Sequence, residues 1–343
     1  MSVVTVNPGY RSPSFIAHFS CKISGSTEPN IGHKAVTRRL KRQRIHTLHT
    51  LHTTHDSPNT SSSGYEGIVF SGGGNRCFWQ AGFWSVASET LNLKPSRVVA
   101  VSAGAAMACA LFSGTFEQGF AGYKRAVAEN ESNFNLRNVL HKRPLFPHGK
   151  MYREAILDCI NESALLRLHQ GPDIRLLVSY PPYWASPRVA LLLGMIATGV
   201  DSWRKNCMDD SLGQRIGFRP AFIPVRECAT PDTLADLILA SSCTPPLTPQ
   251  VRRNGIALLD GGLISNVPTD GLAVARGESL VLLTRQCSKL PAIPGRTYVQ
   301  PSEPIPVAAW DYTDDAAVQS TYDLGRRDGE KFCAWRRRSE ANT

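Results

Sequence analysis

EGIVFSGGGNR (residues 66–76) and RVVAVSAGAAMACAL (residues 97–111) decide the fold. Each begins with a short apolar run, breaks on small residues, and continues with small and apolar residues at helical spacing. A run of four or five apolar residues closed by glycine or serine reads as a strand buried on both faces. After the first run, Phe78, Ala81, Gly82 and Ser85 recur at three-to-four spacing, which predicts a helix from Asn75 to about Glu89. After the second, Ala103–Leu111 predicts a helix of small residues.

The same texture continues outward. DIRLLVSY (residues 173–180) and Arg219–Val225 predict two further strands. Thr230-Pro231-Asp232 places a capping residue and then proline at a helix start, and that helix runs to about Ser241. Ile256–Leu259 predicts a strand leading into Asp260-Gly261-Gly262, Ser279–Thr284 predicts another, and a last helix runs from Thr313 towards Trp335. Apolar strands alternating with helices predict one α/β domain with a largely parallel sheet covered on both faces.

Residues 1–64 have a different character, without helical or strand periodicity, and they end in the linker-like SPNTSSSG. They carry eight of the 38 basic residues against two acidic ones, a net of +6 within a total of +10. The basic character therefore belongs mainly to this segment, and nothing in the folded part points to nucleic acid. The basic run Arg38–Arg44 fits a targeting, nucleic-acid or anionic-membrane patch, and His46, His49, His52 and His55, three apart, fit a metal. The simpler reading, and the one expected, is that residues 1–64 are a solvated, disordered basic extension. With 42% hydrophobic residues, the 343-residue chain has ample material for a core. Its longest apolar run, Val189–Val200, is shorter than the roughly 20 residues that span a bilayer. That run fits a buried helix or a hydrophobic flap. Nine scattered cysteines without a C-x-x-C pair predict free thiols and a reducing, cytoplasmic setting.

Three places carry chemistry. Ala100-Val101-Ser102-Ala103-Gly104 is one residue from G-x-S-x-G, the tight strand-to-helix turn that exposes a nucleophilic serine. Read alone, it fits equally a helix start capped by serine. A histidine base for Ser102 is hard to find, because no histidine follows His169 and six of the nine lie in the tail. A carboxylate acting directly as base is the alternative. Asp260 stands at a strand end before two glycines that permit close approach, although Asp-Gly-Gly also fits a plain turn. In a parallel sheet the two residues meet on the edge formed by the strand C-termini. Finally, Gly72-Gly73-Gly74-Asn75-Arg76 exposes backbone N–H groups suited to phosphate or an oxyanion. It lacks the Lys of a P-loop and the third glycine of a dinucleotide site, so no cofactor is expected, and no metal in the folded part.

In this order the three pieces resemble the patatin-like phospholipase family, with its G-G-G-x-[RK]-G loop, G-x-S-x-G elbow and late D-G-[GA]. The resemblance runs from about Glu66 to Pro268, because Asp260-Gly261-Gly262 continues to Asn266 and Pro268 as the family's motif does, and Ala240–Pro246 is similar to the segment before it. Two positions depart from it: Ala100 replaces the first glycine of the elbow and Cys77 the last glycine of the loop. The resemblance implies a three-layer α/β/α sandwich with a mostly parallel central sheet over residues 65–343. It implies Ser102 as nucleophile, Asp260 as base, and Gly73, Gly74, Asn75 and Arg76 around the oxyanion. The implied activity is hydrolysis of acyl-lipid esters with peripheral membrane contact. The alternatives are an acyltransferase or thioesterase using the same dyad, and a catalytically silent anion- or membrane-binding protein.

Overall fold

The computed structural model describes residues 64–135, 145–185, 193, 212–253, 255–273 and 277–341. The expected N-terminal extension, apart from Gly64, its histidine repeat, and Val189–Val200, apart from Leu193, lie outside the described residues.

The centre is a sheet of β1 (Gly67–Phe70), β2 (Arg97–Val101), β3 (Asp173–Tyr180), β4 (Arg219–Pro224), β7 (Leu259–Asp260), β8 (Ser279–Leu282) and β9 (Arg296–Val299). Its order is β4-β3-β2-β1-β8-β9. The four inner pairings, β1 with β2 and β8, β2 with β3, and β8 with β9, are parallel. β1 and β8 are buried at every position, as strands covered on both faces must be.

Alternation along the strands sorts the core into two faces. Ile68, Phe70, Val98 and Ala100 face one cluster with Trp79 and Phe83 of α1 (Phe78–Thr90), Ala105 and Ala108 of α2 (Ala103–Ser113), and Leu234 and Ile238 of α7 (Pro231–Ser241). Val69, Val99 and Val281 face the other, against Val267 and Leu272. Three amphipathic helices that the sequence reading did not assign, α3 (Phe116–Glu129), α4 (His148–Cys159) and α5 (Glu162–Gln170), complete the larger helical layer with α8 (Asp315–Ala341). The edge strand β9 was also not assigned; Arg296 and Thr297 break its apolar pattern.

Two expectations change. Ile256–Leu259 is not one parallel strand. β5 (Arg252–Arg253) and β6 (Ile256–Ala257) form a small hairpin, and β7 lies antiparallel on β3. The reason lies in β2, which leaves the sheet after Val101, opposite Leu177, and frees the next stretch of β3 for β7. Secondly, the thiols are not all free. Cys77, Cys109, Cys159, Cys228, Cys243 and Cys333 are free, but Cys287 is disulfide-bonded. No described helix is long and apolar enough to cross a membrane.

Candidate active site

β3 is the template on which the site is built. Its Leu177 pairs with Val101, the last residue of β2, and its Val178 pairs with Asp260 of β7. The residue after Val101 and the residue at β7's end therefore stand on adjacent rungs. At Ser102 the chain turns into α2 with φ 55° and ψ −136°, a left-handed conformation that a non-glycine residue adopts under strain. Ser241 takes over the interrupted ladder. Its hydroxyl accepts the Ser102 N–H at 2.9 Å and donates to the Leu177 carbonyl at 2.7 Å. Gly104 lets the first turn of α2 press on the carbonyls of Phe70 and Ser71, where a side chain has no room.

The Ser102 hydroxyl, on a residue only 7% exposed, donates to Asp260 Oδ2 at 2.9 Å. Thr244 Oγ1 donates to the same oxygen at 3.2 Å, and the Gly262 N–H to Oδ1 at 2.7 Å. The backbone of Asp260 is fixed as well. Its N–H donates to the Cys243 carbonyl at 3.0 Å and its carbonyl accepts from Ser179 Oγ at 2.7 Å. Burial raises the Asp260 carboxyl to about 6, against the lowering pull of the Gly262, Ser102 and Thr244 hydrogen bonds. Of the described histidines, His148 bonds the Trp310 carbonyl and His169 the Cys228 carbonyl; neither bonds the Ser102–Asp260 pair. His141 lies outside the described residues.

The glycine loop passes beside the serine; a Cβ on Gly72 would stand 3.3 Å from Ser102 Cβ. The Gly72 N–H is used by the Asn266 carbonyl, and the Gly72 carbonyl accepts from Thr284 at 2.5 Å. The N–H groups of Gly73 and Gly74 have no hydrogen-bond partner among the described residues. Gly74 adopts φ 57° against the carbonyl of Ala309, a position only glycine fills without strain.

Asn75 differs from expectation. Its N–H is bound to Ala309 O at 3.0 Å, its side chain donates to the Asp311 carbonyl at 2.5 Å, and its Oδ1 accepts from Tyr123 at 2.6 Å. These bonds tie Asn75 into the loop's support, while the Gly73 and Gly74 N–H groups stay unpaired among the described residues. Arg76 is half-buried and has no ion-pair partner among the described residues. Both departures from the motif are accommodated. The Ala100 methyl is buried within β2, and Cys77 is buried with its thiol 3.5 Å from the Ser71 carbonyl, its pKa pushed up by burial. Sequence reading did not single out Ser241, Thr244, Ser179 or Thr284. Their signal, small hydroxyl residues at strand ends and in a Ser-Ser-Cys-Thr run, is too common to select.

From Gly74 and Ala103 a narrow apolar pocket, with a free volume of about 60 Å³, extends between α2, α3 and α4 past Met107 and Ala110 to Phe116, Phe120 and Ile160. No group of three or more side chains able to hold a metal occurs among the described residues.

This combination of a hydroxyl on a strained turn, a buried carboxylate and unpaired backbone donors beside an apolar pocket suits acyl transfer to serine. The family model of patatin-like phospholipases matches residues 68–273. No curated protein matches the chain. Among solved structures, VipD from Legionella pneumophila is similar, with a TM-score of 0.37 and 10% identity over 79% of this chain and 67% of that one. With the family model covering more than half of its residues, among them both members of the Ser102–Asp260 pair, the chain belongs to the patatin-like phospholipase family.

Proposed function

We propose that the protein hydrolyses carboxylic esters of acyl lipids through Ser102 and Asp260, with residues 65–343 as the catalytic unit. Family membership supports lipid acyl hydrolysis in general. The observation that carries the specific assignment is the 2.9 Å bond from the Ser102 hydroxyl to Asp260 Oδ2. Asp260 accepts the Ser102 proton as Oγ attacks the ester carbonyl. The Gly73 and Gly74 N–H groups receive the developing oxyanion, and a donor of this kind is worth about 2.7–4 kcal/mol in the transition state. Asp260 then returns the proton to the departing alcohol oxygen. Water, losing its proton to Asp260, cleaves the acyl-serine ester and regenerates the pair. The acyl chain lies in the apolar pocket, and the substrate is met at the surface of a membrane or lipid aggregate.

The test is labelling by a fluorophosphonate, whose phosphorus mimics the tetrahedral centre, together with release of fatty acid from acyl-lipid esters. Wild-type protein is expected to do both, and Ser102→Ala and Asp260→Asn to do neither. Folded wild-type protein that neither labels nor releases fatty acid overturns the assignment.

A further inference from the structure

The edge of the sheet that carries Ser102 also carries an aromatic and basic patch with no role in the chemistry above. β3 continues beyond Ser179, whose hydroxyl holds the Asp260 carbonyl, into Tyr180 and then Pro181-Pro182-Tyr183-Trp184. Tyr183 is 91% exposed and Trp184 57% exposed, the two most exposed large aromatic side chains among the described residues. Opposite them β4 begins, with Arg219 paired to Tyr180, following the one-turn α6 (Leu212–Arg215). Arg215 and Arg219 are exposed, and neither has an ion-pair partner among the described residues. The patch is continuous, since Pro182 and the Trp184 indole nitrogen pack over Gly217, between the two arginines.

Exposed tryptophan and tyrosine are costly in water and are favoured at a lipid–water boundary, where the ring enters the apolar region and its polar atom stays wet. Unpaired guanidinium groups beside them complement lipid phosphates and anionic headgroups. We infer that Tyr183, Trp184, Arg215 and Arg219 form the face by which the protein docks on an anionic lipid surface, bringing the Ser102 edge to its substrate. The inference rests on the acyl-lipid reading above, but its readout does not require catalysis.

The experiment is sedimentation of the full-length protein with vesicles of phosphatidylcholine alone and of equimolar phosphatidylcholine and phosphatidylglycerol. Turnover of a short-chain, water-soluble p-nitrophenyl ester is measured beside it. Wild type is expected to bind the mixed vesicles more tightly than the neutral ones. Tyr183→Ser/Trp184→Ser is expected to weaken binding to both by roughly tenfold or more. Arg215→Gln/Arg219→Gln is expected to weaken binding to mixed vesicles by roughly fivefold per charge and to leave neutral vesicles unaffected. Both variants keep wild-type turnover of the soluble ester, which shows that they fold. Wild-type protein that ignores both vesicles overturns the inference. So does aromatic-variant protein that binds like wild type, or wild type that only self-associates through this face. Failure of the catalytic reading is separate and shows as absent turnover of the soluble ester by wild type, with vesicle binding still measurable.

Discussion

At the scale of the residue, Asp260 is a carboxyl that burial holds against its own charge. Its folded-state carboxyl titrates at about 6, above the usual range near 3.8, because burial opposes its charge. The base proposed for Ser102 must be ionised, so kcat/KM on an acyl ester is expected to rise through a limb near pH 6 and to be lost below it. Thr244→Val removes one donor to Oδ2 and is expected to move that limb to higher pH, with Thr244→Ser restoring it; pH–rate profiles of the three proteins decide. The sign for stability is opposite. Between the unfolded and folded values the native state binds the proton more readily, so Asp260 favours folding most below about pH 4, and this contribution is lost as pH rises through 6. Asp260→Asn is therefore expected to lose roughly 10²–10⁴-fold in activity. It is also expected to gain up to about 1–3 kcal/mol of stability at pH 8, a gain that shrinks towards pH 4 in urea titrations. The closeness of Ser102 and Asp260 was expected from the family resemblance, towards which the scarcity of late histidines also pointed. The anchoring of Asn75 was not legible, since it depends on Ala309 and Asp311, more than 230 residues away.

At the scale of the element, the buried parallel strands were legible to the residue at Arg97–Val101 and Asp173–Tyr180, where apolar runs end on turn residues. So was α7, whose Thr230 cap forms a reciprocal box with Thr233 behind Pro231. β7 was not, because a two-residue strand has no period and exists only where β2 vacates β3. Ser241 bridges that gap. Ser241→Ala leaves the Ser102 N–H and the Leu177 carbonyl unsatisfied and is expected to cost about 1–3 kcal/mol in denaturant unfolding, with a lower kcat. α2 presents Ala103, Ala106, Met107 and Ala110 to the pocket at helical spacing. Ala110→Phe should narrow it and lower kcat/KM for long acyl chains, by about 0.8 kcal/mol per methylene displaced, with short esters unaffected; a chain-length series measures it.

At the scale of the whole molecule, the last helix closes the fold onto its first. α8 packs against α1 through Gly325, which has no room for a side chain against the Trp79 carbonyl. Asp328 of α8, 1% exposed, accepts the Trp79 indole N–H at 2.9 Å and the Ser302 N–H and hydroxyl at 2.9 and 2.5 Å. Asp328→Ala strands those donors and is expected to lower stability by about 3–5 kcal/mol, read from the urea midpoint. The active edge is assembled differently, from a two-residue strand that carries Asp260 against a fold-spanning β3. Ser179, Cys243, Thr244 and Gly262 all bond Asp260, and its neighbours Leu258 and Leu259 are buried in the core, so the strand cannot come away without disturbing that core. Activity is thus tied to the core itself: on heating, ester turnover and circular dichroism are expected to fall with one shared midpoint.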